Sequence, residues 1–297
     1  MSLFAFNDFE LYKGNYSGLH NDYEYRGMQL PLHILHWTFA LSFECVNDYV
    51  EKTLAFQQNW QHSFTISVVY FLLIKLVQRM MRNQKPFNLR IPLVVWNGIL
   101  SVFSILGFIR FSEDLIHSLI YKGLYPSLCY SVKPDGVAAF WSTLFAASKV
   151  AELGDTLFIV LRKKPLIFLH YYHHAAVLVY TAHSGAEHTG SGRMFISMNF
   201  LVHSAMYLYY TLTSYGIRPA KWISMCITSL QTIQMFLGII VSLYVYRIKL
   251  EGKLPCQQSM KNLALAFIIY VTFAALFVHF FIKSYIRKNK IRQKKAD

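Results

Sequence analysis

The stretch KNLALAFIIYVTFAALFVHFFIKS at residues 261–284 decides the fold. It is almost entirely apolar and exceeds the roughly 20 residues that a helix needs to cross a hydrocarbon core about 30 Å thick. Comparable runs lie at 62–79, 91–110, 137–161, 166–183, 193–214 and 221–246. Because a backbone in lipid must satisfy its own hydrogen bonds, the pattern predicts an all-α, polytopic integral membrane protein with seven transmembrane helices.

The composition favours the same class. The chain has 297 residues, of which 55% are hydrophobic and 16% aromatic, more apolar side chain than a soluble domain can bury. The net charge of +14 comes from short clusters beside the apolar runs and from the C-terminal tail. Such clusters are typical of topology determinants next to anionic membrane lipid and argue against a nucleic-acid partner. No cleavable signal peptide is expected, since the first thirty residues lack an apolar core.

We interpret residues 1–297 as a single domain in three parts. Residues 1–61 form a lumenal N-terminal and interfacial segment, 62–284 the membrane core, and 285–297 a basic cytosolic tail. The apolar run at 30–46 is short and contains two histidines and a glutamate, so we place it at the interface. An eighth span there would reverse the N-terminus.

Several features favour a lumenal N-terminus and a cytosolic C-terminus. Most lysines and arginines then face the cytosol, and the sequon at Asn15 is lumenal, where glycosylation occurs. The chain ends in KKAD, a di-lysine address for the endoplasmic reticulum. Cys129 and Cys256 fall on lumenal loops, which predicts a disulfide between them.

Ionisable residues inside the expected spans are costly and are therefore candidates for function. The third span carries KVAELGDT at 149–156, in which Lys149, Glu152 and Asp155 are three residues apart and share one side of a helix. An ion pair that holds spans together and a part in a functional site both stay open for this run.

The fourth expected span opens with HYYHH at 170–174. The spacing places His170, His173 and His174 on one face of a helix. Three imidazoles there could ligate a metal ion, exchange protons near neutral pH, or act as nucleophiles, and the spacing alone leaves these alternatives open.

Polar side chains recur at helical spacing on three further spans. They are Asn97, Ser101 and Ser104 on the second, Asn199, His203, Tyr207 and Tyr210 on the fifth, and Ser224, Thr228, Gln231 and Gln234 on the sixth. At a rise of about 1.5 Å per residue, these groups and the imidazoles fall in the cytosolic half of the membrane. This predicts a polar chamber continued by a closed apolar tunnel, a shape that suits acyl-CoA.

The same residues lie in five runs that resemble the ELO family of very-long-chain fatty acid elongases, in family order over almost the whole chain. The runs are KPFNLRIPLVVWNGILSVFS at 85–104, KVAELGDT at 149–156, LHYYHH at 169–174, MNFLVHSAMYLYY at 198–210 and TSLQTIQM at 228–235. The resemblance implies condensation of long-chain acyl-CoA with malonyl-CoA to 3-oxoacyl-CoA, CO2 and CoA, without a cofactor. The six helices after the first would enclose the substrate tunnel.

The resemblance also implies residue roles. His173 would take the acyl group as an acyl-imidazole, His170 and His174 would orient it or handle protons, and His203 would be a second catalytic imidazole near the malonyl group. Supporting or substrate-binding positions are Lys149, Glu152, Asp155, Asn199, Tyr207, Tyr210, Gln231, Gln234 and Asn97. Expected partners are membrane lipid, the reductases and dehydratase of the elongation cycle, and a second copy in a homodimer.

The run LIFLHYYHH after Lys163 and Lys164 looks closer to the branch acting on saturated and monounsaturated chains, with a branched-chain substrate also compatible. Two other functions are alternatives. A membrane di-iron desaturase or hydroxylase generally needs about eight His ligands in three boxes, and this chain has one such box. A non-enzymatic seven-span lipid transporter would leave the three imidazoles unexplained.

Overall fold

The computed structural model describes residues 23–25, 28–30, 40–46, 48–133 and 136–287. The sequon at Asn15 and the di-lysine end lie outside these residues, as do most of the expected interfacial run and most of the basic tail. Near the N-terminus, strands β1 (Tyr23–Tyr25) and β2 (Met28–Leu30) pair antiparallel. This short pair departs from the all-α prediction, and its alternating YEY and MQL sequences suit strands.

The rest of the described chain is helical. A 3₁₀ turn (Ser42–Glu44) is followed by α1 (Tyr49–Asn59), α2 (His62–Met80), α3 (Arg90–Tyr121), α4 (Leu124–Cys129), α5 (Val137–Ala151), α6 (Gly154–Leu161), α7 (Phe168–Glu187), α8 (Gly192–Tyr215), α9 (Lys221–Glu251) and α10 (Met260–Phe281). A second 3₁₀ turn (Met81–Asn83) ends α2, and a π-helical turn (Ile282–Arg287) ends α10. Within the described residues, four helices are long and apolar enough to cross a membrane: His62–Asn83, Arg90–Tyr121, Lys221–Glu251 and Met260–Ile286. The architecture is that of a helical integral membrane protein.

The third expected span is not one continuous helix. It is divided into α5 and α6 at Glu152 and Leu153. There the backbone hydrogen bonds change from the α-helical pattern, four residues apart, to the 3₁₀ pattern, three residues apart. Gly154 follows the break, and a Cβ there would lie 2.9 Å from the Trp96 indole of α3. The glycine therefore lets α3 approach the break closely, a contact that hydrophobic periodicity does not reveal.

Two expected spans continue beyond their apolar runs, and at the end of α3 buried polar partners replace lipid. Helix α3 runs eleven residues past its expected end at 110. There the guanidinium of Arg110 binds the Glu44 carboxylate, and Arg193 of α8 binds Asp114. The bonds from Arg110 lower the pKa of Glu44 to about 2. Helix α9 likewise continues to Glu251.

The helices pack mainly as antiparallel neighbours, with α3 against α8 and α9 against α10. The Phe200 ring of α8 covers Gly107 of α3, and the Tyr270 ring of α10 covers Gly238 of α9. The predicted disulfide is confirmed: Cys129 is bonded to Cys256 and joins the end of α4 to the segment before α10. Cys45 and Cys226 are free and exposed.

Candidate active site

The first two turns of α7 carry the histidine box. Its helical spacing brings the His170 and His174 ring centroids to 4.4 Å and those of His173 and His174 to 5.6 Å. The predicted face of three imidazoles is therefore present. Since the three rings occupy one side of one helix, they can act on the same substrate group.

His170 is held by a chain of hydroxyls. Its Nε2 lies 2.9 Å from Oγ1 of Thr156 on α6, which lies 2.6 Å from the Tyr70 hydroxyl of α2. This contact fixes the ring across two neighbouring helices. Tyr70 was not predicted from the sequence, because a single tyrosine in an apolar run carries no distinguishing signal.

His173 differs from His170 in its surroundings. Its ring packs against Phe273 and Phe277 of α10, with centroid separations of 4.8 and 6.2 Å. Within the described part of the chain, no hydrogen bond engages its imidazole. Both ring nitrogens are thus available for chemistry rather than being committed to the scaffold.

Behind the imidazoles lies a buried polar network that joins α5 to α8. The Lys149 ammonium donates to Oε1 of Glu152 at 2.6 Å and to Oδ1 of Asn199 at 2.9 Å. The Asn199 Nδ2 lies 3.3 Å from His203 Nε2, and Oε2 of Glu152 lies 3.7 Å from His203 Nδ1. Lys149 and Glu152 thus contact one of the predicted catalytic imidazoles, directly or through one residue.

Asp155 belongs to a second set of contacts on the other side of the helix break. Its Oδ1 accepts a 2.6 Å hydrogen bond from the Trp96 indole, and its Oδ2 accepts a 2.7 Å bond from the Tyr207 hydroxyl. Both bonds satisfy a carboxylate that is expensive to leave unpaired in a protein interior. Trp96 was missed from the sequence, although it stands next to the predicted Asn97.

The imidazoles face a cavity that we name the polar chamber. It is lined by His170, His173, His174, His203, Asn97, Asp155, Asn199, Tyr207, Tyr210, Gln231 and Gln234, and also by Arg162 and Lys164. All predicted site residues line it except Lys149 and Glu152, which lie behind its wall. Arg162 and Lys164 add positive charge to the lining, which suits a ligand with phosphate groups.

A second cavity, the apolar cavity, runs from His173 along α7. Its lining includes Val177, Tyr180, Phe145, Phe195, Ile269 and Phe273, and it ends near α1 at Phe56, Thr53 and His188. His173, Asn199, Gln234 and Met235 line both cavities. The sequence did not predict that α1 lines this cavity, because α1 is less apolar than a membrane span.

Within the described residues, no group of three or more His, Cys, Asp and Glu side chains is arranged to hold a metal ion. The fold and site therefore define a helical membrane protein whose uncommitted histidine stands between a polar and an apolar cavity. Residues 55–293 match the model of the ELO family, described as GNS1/SUR4. The chain belongs to this family.

Relatives with similar sequences carry elongase names. The chain is 52% identical over 288 residues to "Putative fatty acid elongase 4" of Caenorhabditis elegans, covering 97% of this chain and 95% of that protein. It is 44% identical over 233 residues to human very long chain fatty acid elongase 3, covering 78% and 86% respectively. Very long chain fatty acid elongase 6 of Drosophila melanogaster is 42% identical over 253 residues, covering 84% and 80%.

Proposed function

We propose that this protein is the condensing enzyme of fatty acid elongation, a 3-oxoacyl-CoA synthase of the acyltransferase class. It joins a long-chain acyl-CoA to malonyl-CoA and gives 3-oxoacyl-CoA, CO2 and CoA. The observation that carries the proposal is that His173 lines both the polar chamber and the apolar cavity. The thioester carbonyl, where the charged head of an acyl-CoA meets its hydrocarbon tail, would lie beside this imidazole.

The first step transfers the acyl group to His173. A ring nitrogen attacks the thioester carbonyl, a C–N bond forms, the C–S bond breaks, CoA leaves as the thiolate, and the imidazole proton passes to a neighbouring base. The acyl-imidazole is a more reactive acyl donor than the thioester, because protonated imidazole is a good leaving group. His170 and His174, next to His173 on α7, orient the ring or handle this proton.

The second step consumes malonyl-CoA. Loss of CO2 leaves an enolate whose carbon attacks the acyl carbon, forming the C–C bond as the C–N bond to His173 breaks. His203 acts as the second imidazole near the malonyl group. Asn199, Gln231 and Gln234 line the chamber and have amide donors for the developing oxyanions. Asn97, Asp155, Tyr207 and Tyr210 complete the polar lining.

The proposal includes a topology. Seven membrane-spanning units correspond to α2, α3, the broken pair α5 and α6, and α7 to α10, and the six after α2 enclose the two cavities as one substrate tunnel. The N-terminus and the Cys129–Cys256 disulfide are lumenal, the C-terminus is cytosolic, and the membrane is that of the endoplasmic reticulum. We retain the single domain with parts 1–61, 62–284 and 285–297 in this arrangement.

The proposed substrates are saturated and monounsaturated long-chain acyl-CoAs, and the proposed partners are the reductases and dehydratase of the cycle and a second copy of the chain. The test is incubation of microsomes containing the protein with a panel of acyl-CoAs and malonyl-CoA. A malonyl-dependent 3-oxoacyl-CoA is expected. Its absence across the panel would favour the transporter, whereas an oxygen-dependent product with bound iron would favour the desaturase.

A further inference from the structure

The amide of Asn199 lies between the ammonium group of Lys149 and the imidazole of His203. The groups involved lie at the junction of α5 with α8 and are nearly inaccessible: Lys149 is 3% exposed, Glu152 4%, His203 7% and Asn199 9%. Water is therefore a poor substitute partner, and the hydrogen-bonding atoms of these side chains must satisfy one another.

The donor and acceptor atoms of these hydrogen bonds can be assigned starting from Lys149. An ammonium group has only donors, so the amide atom 2.9 Å from its Nζ must be the carbonyl oxygen of Asn199. The other end of that amide is then an NH2 group, which also has only donors. It faces Nε2 of His203 at 3.3 Å, so this nitrogen must accept and cannot carry a proton.

The second nitrogen of His203 agrees with this assignment. With Nε2 unprotonated, the neutral ring carries its proton on Nδ1, which lies 3.7 Å from Oε2 of Glu152. A doubly protonated ring would place an N–H against the Asn199 NH2 group and a second positive charge near the Lys149 ammonium. The resting arrangement is thus compatible with one form of His203, the neutral Nδ1–H tautomer, and a proton can enter Nε2 only when the Asn199 N–H turns away from it.

We infer that Lys149 is a positioning residue that acts through Asn199 to hold His203 in the Nδ1–H tautomer, with Nε2 as its basic nitrogen. This rests on the proposed function and adds to it a specific role for the basic nitrogen. Since His203 and Asn199 line the chamber that contains His173, Nε2 accepts the proton that leaves His173 on acylation once the Asn199 N–H turns away from it, and CoA leaves as the thiolate. Nε2 returns that proton when the C–N bond breaks, so the ring ends each cycle unchanged.

Lys149 and Glu152 do not line the chamber, so they do not contact a substrate bound there. A carboxylate behind one imidazole nitrogen orients the histidine base in many acyl-transfer enzymes, and Glu152 lies behind Nδ1 of His203 at 3.7 Å. Here the additional element is a lysine that orients the amide on the reactive side.

The decisive variant is Asn199→Asp, which keeps the size of the side chain and the bond to Lys149 but presents an oxygen to His203. That oxygen favours a proton on Nε2 and so inverts the tautomer. We expect kcat to fall about 10²–10⁴-fold, the contribution of a positioned base, while KM for acyl-CoA changes little. Lys149→Met, which frees the amide to rotate, should also lower kcat with KM retained. Lys75→Met, an exposed lysine of α2, is the matched control and should have no effect.

A direct measurement distinguishes the inference from a purely structural role. In the full-length protein with ¹⁵N-labelled histidine, the His203 resonances are assigned by their loss in His203→Gln, and their shifts report which nitrogen bears the proton. The wild type should show Nδ1–H, and Asn199→Asp should show Nε2–H. A wild-type Nε2–H signal, or wild-type kcat in Asn199→Asp, would overturn the inference. The wild-type resonances test the tautomer even if the Asn199→Asp variant fails to fold. Failure of the wild type to make 3-oxoacyl-CoA would instead refute the proposed function.

Discussion

The hydroxyl of Tyr207 donates to Asp155 at 2.7 Å and so ties α8 to the first turn of α6, directly after the helix break. Tyr207 is 1% exposed, and the only other bond to this carboxylate within the described residues comes from Trp96. Tyr207→Phe should therefore leave one carboxylate oxygen unpaired and lower the free energy of unfolding by about 1–3 kcal/mol. Thermal unfolding in detergent measures the loss. Tyr209→Phe is the control, and an equal effect there would contradict this explanation.

Replacement of the uncommitted histidine should abolish condensation without unfolding the protein. His173→Ala removes the proposed nucleophile but no hydrogen bond of the described scaffold, so its melting temperature should stay near that of the wild type. His279→Ala, which removes an exposed imidazole of α10, should retain full turnover. Wild-type protein given acyl-CoA alone should release CoA and carry an acyl group on His173 in peptide mass spectra. If no adduct forms, condensation occurs directly in a ternary complex.

Bulk in the apolar cavity should set the length of the acyl chain. Tyr180 is seven residues beyond His173 on α7, or about 10.5 Å along the helix, which corresponds to roughly eight methylenes. Tyr180 and Phe195 line the cavity, so Tyr180→Ala and Phe195→Ala should shift the preferred substrate by about two to four carbons, the equivalent of up to one helical turn.

Positions outside the cavity lining serve as controls for that shift. Met194 and the run 237–241 of α9 do not line the cavity, because they pack into the core or face outward. Leu237→Ala should leave the product profile unchanged. If both cavity variants keep the wild-type distribution of product chain lengths while His173 is still essential, Tyr180 and Phe195 do not determine chain length. The catalytic proposal would then remain intact.

The Cys129–Cys256 bond should be recovered from membranes and should stabilise the fold. Non-reducing peptide mapping should find these two residues linked and Cys45 and Cys226 as thiols. The bond closes a segment of 127 residues, so Cys129→Ser should lower stability by about 3–5 kcal/mol through loop entropy. Cys226→Ser should change little. Two free thiols at Cys129 and Cys256 would argue against the proposed lumenal side.

The Glu44–Arg110 pair should produce a defined pH dependence. The pKa of Glu44 falls from 4.5 to about 2 in the folded protein, so its stabilising contribution is complete above pH 4.5 and decreases as the pH falls toward 2. Glu44→Gln removes the carboxylate that Arg110 binds and leaves the guanidinium its longer 3.8 Å contact with Glu113, so it should cost about 1–3 kcal/mol at pH 7. The difference in unfolding free energy between wild type and variant should narrow below pH 4.5. Asp48→Asn, at an exposed pair with Lys52, should have little effect at any pH.

The sequence predicted the elements whose physical signal is local. Apolar length located the helices, and helical spacing placed the three imidazoles on one face of α7. It also identified His203, Asn199 and the glutamines as polar groups within apolar runs, and all of them line one chamber. These predictions succeed because a polar group in lipid is costly wherever it occurs, so its presence alone is informative.

Other parts of the site depend on contacts between distant segments. Trp96 binds Asp155 from 59 positions away, and Thr53 of α1 lies 3.2 Å from His188, which is 135 positions away. The break after Ala151 lies where Trp96 approaches Gly154, a contact that periodicity within residues 137–161 does not reveal, so the sequence predicted one helix. The tautomer of His203 likewise follows from three side chains on two helices and cannot be read from any one segment.

The break between α5 and α6 separates two acidic residues that an unbroken helix would present to the same neighbours. Glu152 ends one helix and serves Lys149 and His203, whereas Asp155 starts the next and serves Trp96 and Tyr207. The two carboxylates share none of these hydrogen-bond partners, so the break lets one short run of the chain serve both the histidine base and the tryptophan–tyrosine wall. Because the rings of His203 and Tyr207 are 5.4 Å apart, substitutions at the two acids should nevertheless couple rather than add.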